Sequence, residues 1–63
     1  MSAVKILNEA QNLSSVSAHL DSLADESPVV SEALLAIAGN IREYAVLLEL
    51  LVATRMTPNS ELQ

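Results

Sequence analysis

Residues 27–55 read SPVVSEALLAIAGNIREYAVLLELLVATR, and this stretch decides the fold. Apolar side chains recur through it in unbroken steps of four and three: Val30, Leu34, Ile37, Ile41, Tyr44, Leu48 and Leu51. That spacing is the signature of one face of an α-helix built to meet another helix. The stretch opens on Ser27-Pro28. Serine is a favoured N-cap, and proline at the first helical position forfeits no needed hydrogen bond. Asp25 and Glu26 stand just before it, where the positive end of a helix dipole favours negative charge. At the far end Arg55 breaks the apolar pattern, and Pro58 blocks further winding. The reading is a helix over about residues 28–56, roughly 40 Å long, with a polar, frayed tail over about 57–63.

Upstream, a second helix is expected over about residues 2–24, capped by Ser2 and ending near Ala24 or Asp25. Ala3, Ala10, Ser17 and Ala24 repeat every seven residues, interleaved with Ile6, Leu13 and Leu20. Small residues at one seam position let backbones approach closely, while the large ones interlock above and below. Leu7, Val16 and Leu23 flank this seam. A connection of two or three residues forces the helices antiparallel. Gly39-Asn40 is the one internal weak point, where a break would give three helices. The spacing from Ile37 to Ile41 passes through it unshifted, so the helix is read as continuous.

The expected fold is therefore all-α, a single domain folded as a two-helix antiparallel hairpin. Such a hairpin cannot bury its own apolar surface. At 63 residues the chain is marginal alone, and small proteins usually rely on disulfides, metals or association. There is no Cys, and His19 is the one histidine, so association is the route left open. Ala33, Ala38, Ala45, Leu47 and Val52 widen the apolar face of the second helix beyond what one neighbour covers. Pairing two hairpins into a homodimeric four-helix bundle is the simplest closed solution. The interface residues expected for it are Ile6, Leu13, Leu20, Leu34, Ile37, Ile41, Tyr44, Leu48 and Leu51. The Tyr44 ring is expected to fill the core near mid-bundle. A second, outward strip of Val46, Leu50 and Ala53 is a candidate dock for another helical protein or a further copy.

In architecture this arrangement resembles the repressor-of-primer family of plasmids, short hairpins with small and large residues alternating along the seam that dimerise into four-helix bundles. The resemblance implies the bundle. That family binds RNA through polar and basic residues on one face, whereas the first helix here carries one basic residue, Lys5.

The formal net charge of −5, with Lys5, Arg42 and Arg55 the sole basic residues, argues against partners made of nucleic acid or anionic membrane. Enzymatic chemistry finds no starting set. His19 has no convergent partner and reads as a solvated side chain. No Gly-x-Ser-x-Gly turn surrounds a serine, and no Glu-x-x-His pair offers a metal site. The carboxylates read as a solvated acidic face. No cofactor is expected. The start of the chain lacks a signal peptide's uninterrupted apolar core, and the longest apolar-rich stretch, Tyr44 to Ala53, is far short of the roughly 20 residues a membrane span needs. A cytoplasmic location is expected. The functional expectation is a non-enzymatic protein–protein interaction module, an adaptor, inhibitor or regulatory subunit. The alternative is a small nucleic-acid-associated regulator of the repressor-of-primer kind.

Overall fold

The structure, a computed structural model, describes residues 2–55. They form two α-helices, α1 (Ala3–Glu26) and α2 (Ser31–Arg55), joined by Ser27 and a single 3-10 turn, Pro28–Val30. The two helices pack against each other as a hairpin, and no strand occurs among the described residues. The expected tail and the stop at Pro58 lie outside the described residues.

Ser2 starts α1 as the pattern requires. Its backbone is extended, and its hydroxyl accepts the Lys5 amide at 3.3 Å, satisfying one of the donors a helix start leaves unpaired. The other end differs from expectation, because α1 includes Asp25 and Glu26. The reason is steric. Proline restricts the residue before it, so Pro28 expels Ser27, and not the two acids, from helical geometry. Carboxylates at an exposed helix C-terminus are unfavourable by only a few tenths of a kcal/mol, too little to unwind a turn. Ser27 holds φ −130° and ψ 74°, and its amide still donates to Ala24 O at 3.4 Å. Its side chain makes no cap hydrogen bond; Pro28–Val30 form a 3-10 turn, and α2 proper starts at Ser31.

Gly39 and Asn40 do not interrupt α2, and Gly39 holds no positive φ. Winding is carried through the pair by strong helix formers further out, Leu35, Ala36 and Ala38 before it and Arg42 and Glu43 after it.

The buried core is made of small side chains. Ala10, Ser17, Ala24, Ala38 and Ala45 are the buried residues among those described, with Ala38 at 0% exposure. Each lies seven residues from the next on its own helix, so a row of small residues on α1 faces a row on α2. Ile6, Leu13, Leu20, Leu34, Ile41 and Leu48 sit beside these rows and are half-buried.

This arrangement corrects the expected seam of α2. Leu34, Ile41 and Leu48 face α1 as anticipated, but their partners in the seam are Ser31, Ala38, Ala45 and Val52. Val30, Ile37, Tyr44 and Leu51 are exposed, Tyr44 at 61%. Within the chain the Tyr44 ring therefore fills no core. Steps of four and three starting from Leu34 fit either set, because the large row is common to both. The close approach dictated by Ala10, Ser17 and Ala24 of α1 selects the small set.

Candidate functional site

The rotation of the two helices can be read from one polar contact. Arg42 of α2 donates through Nη1 to Asp21 Oδ2 at 2.9 Å and to Ser17 Oγ at 3.2 Å, both on α1. Asp21 and Arg42 each stand four residues beyond a member of the small row, Ser17 and Ala38. They therefore occupy the flank of the hairpin that borders the small rows. The ion pair is about half exposed, so its Coulomb energy is screened and worth at most about 1 kcal/mol. It bridges the helices on this flank and satisfies the Ser17 hydroxyl, a polar group inside the seam. Asp21 Oδ1 is buried with no hydrogen-bond partner among the described residues.

The opposite flank borders the large rows, and there the character changes. Along α1 it carries Ile6, Leu13 and Leu20, then Val16 and Leu23. Along α2 it carries Leu34, Ile41 and Leu48, then Val30, Ile37, Tyr44 and Leu51. The inner members are half-buried, and the outer members lie between 40% and 61% exposed. Among the described residues the charged side chains in these rows are Glu9, near the start of α1, and Arg55, at the end of α2. All nine residues expected to form an oligomer interface fall on this flank. The four-three stripe of large residues on α2 is therefore the pair of rows on this face and not the seam.

Val16 and Leu23, which the sequence places beside the α1 seam, belong to the same face. The signal that could have added them, and corrected the seam, is the match of spacing. Ala38 and Ala45 stand seven apart on α2, as do Ala10, Ser17 and Ala24 on α1.

A second apolar area lies on the side of α2 turned away from α1. Val46 and Leu50 are each 51% exposed there, with Leu47 beside them and Ala53 one turn on. A shallow open groove lined by Gly39, Arg42, Glu43, Val46 and Leu47 leads into this strip. The sequence points to Val46, Leu50 and Ala53 for this strip, assigns Leu47 to the widened apolar face of the helix, and gives no sign of the groove.

Comparison with protein-family models, with curated proteins and with solved structures returned no match. The two surfaces therefore stand on their own chemistry. His19 is exposed on α1. Among the described residues no group of three or more His, Cys, Asp or Glu side chains could hold a metal ion, and no helix is long and apolar enough to cross a membrane.

Proposed function

We propose that this chain is a small non-enzymatic protein–protein interaction module, an adaptor, inhibitor or regulatory subunit, that acts as a homodimeric four-helix bundle. The dimer forms by laying the large-residue flank of one hairpin on that of another. One observation carries the reading: among the described residues the buried side chains are alanine and serine, while the leucines, isoleucines and valines remain partly or largely bare. A buried methyl group contributes about 0.8 kcal/mol, whereas fully burying a Leu or Ile contributes about 1.5–3 kcal/mol. The larger part of the available hydrophobic stabilisation is thus unrealised until a second surface arrives. A two-fold partner of the same shape is the simplest surface that supplies it.

Light scattering on the purified chain tests this. The expected mass is twice the 6.7 kDa of one chain. A cooperatively folded monomer would overturn the proposal.

A further inference from the structure

We infer that the outer strip of α2 docks a basic amphipathic helix of a different protein, crossing at Gly39. The inference rests on the interaction-module reading and deepens it by giving the partner's chemistry. Three observations converge on the same side of α2.

The first is apolar content. From Tyr44 to Ala53 one charged residue, Glu49, interrupts the apolar series, so this half of α2 is apolar almost all round. A helix of that kind is normally covered on every side. The small row meets α1, and the large-residue flank lies to one side. Val46, Leu47 and Leu50 remain exposed on the outer side.

The second is Gly39. Glycine inside a helix is unfavourable by about 1 kcal/mol relative to alanine. Nothing among the described residues calls for it: its φ is not positive, and a Cβ added there would meet Arg42 Nη2 at an ordinary 3.8 Å. Gly39 lines the groove that continues the strip. A missing side chain there lets an external backbone approach α2 closely.

The third is charge. Glu43 and Glu49 border the strip and form no ion pair among the described residues. Arg42 lines the same groove, but its charge is paired with Asp21 of α1 and it also bonds Ser17. The strip is thus apolar with uncompensated carboxylates at its margins. Its complement is a helix with Leu-type anchors, a small residue at the crossing and Lys or Arg along its edges. A further copy of this chain is a poor complement, since it brings a net charge of −5 against those carboxylates.

The probe is a synthetic peptide of about 20 residues, long enough to hold a helix, with a Leu stripe, a central Ala and Lys flanks. A control peptide replaces Lys with Glu. Binding to the full chain is measured by calorimetry, with light scattering on every variant. The Lys-flanked peptide is expected to bind and the Glu-flanked one not. Glu43→Gln with Glu49→Gln should weaken binding roughly fivefold, in keeping with exposed ion pairs. Val46→Ser with Leu50→Gln should abolish it. Gly39→Leu should abolish it while circular dichroism shows the helices intact, an effect that a purely structural glycine would not give. Absence of binding, equal binding of the two peptides, or binding retained by the strip and Gly39 variants would each overturn the inference. So would a fall in the mass of the unliganded assembly on Val46→Ser with Leu50→Gln, because the occupant would then be another copy. Peptide capture by a chain that is monomeric throughout would leave this inference standing and remove the homodimer.

Discussion

Ala38 shows how much one methyl group can decide. It has no exposed surface, and its size sets how near α2 can lie to α1. Ala38→Leu adds three carbons where the opposing helix leaves no room. Overpacking of this kind typically destabilises by about 1–3 kcal/mol, and here it pushes the axes apart along the whole seam. Urea denaturation at fixed protein concentration should show the loss. If Ala38→Leu is neutral, the close approach of the helices is wrong. Gly39, the next residue, predicts the opposite sign. A Cβ there meets only the flexible end of Arg42, and the backbone is already helical. Gly39→Ala should therefore stabilise the fold by about 0.5–1 kcal/mol and raise the melting temperature. A fall in melting temperature would mean that some contact within the assembly already uses the space at Gly39.

Each helix joins two surfaces, and its rows separate their energetic roles. The small rows of α1 and α2 hold the hairpin, while the outer rows, Val16 and Leu23 with Ile37, Tyr44 and Leu51, are exposed among the described residues. A charge introduced in an outer row should therefore act on association. Ile37→Asp is expected to convert the assembly to monomer or unfolded chain, because a carboxylate buried without a partner costs several kcal/mol. Ser15→Asp, exposed on α1 away from both rows, should leave the mass and the helicity unchanged. Leu48→Asp should be the most severe of the three, since Leu48 lies half inside the seam and half on the flank. If Ile37→Asp and Ser15→Asp behave alike in light scattering, the flank is not an interface.

For the whole molecule, folding and association should be one process. In the proposed dimer, a hairpin whose described core is alanine and serine would draw much of its stability from the second hairpin, so its unfolding midpoint should depend on protein concentration. Tenfold dilution should remove about 1.4 kcal/mol of apparent stability for a dimer that unfolds in one step. A midpoint independent of concentration would show that the chain stands alone. Charge also acts at this scale. With a net charge of −5, and with Arg42 engaged by Asp21, the described residues gather no basic face for phosphates. No measurable affinity for DNA or RNA is expected at physiological salt. Micromolar binding that weakens steeply with added salt would instead favour the repressor-of-primer-like alternative.

The two helices and the turn between them were legible in the residues themselves. Four-three spacing demands helices, Ser2 provides a start, and Pro28 forbids the residue before it from staying helical. The seam of α1 was legible too, because its small row and large row are both distinct and nothing competes with them. The seam of α2 was not. Leu34, Ile41 and Leu48 form the common edge of two stripes, one completed by Ala38 and Ala45 and the other by Ile37, Tyr44 and Leu51. Either stripe satisfies the periodicity of a single helix, and side-chain size argues locally for the larger one. The choice belongs to the pair of helices. Alanine against alanine brings the axes close, the Asp21–Arg42 contact lies on the flank beside those alanines, and the large side chains are turned to the other flank. How far a helix is rotated about its axis depends on what lies across from it, and that is information a periodic pattern along one helix does not contain.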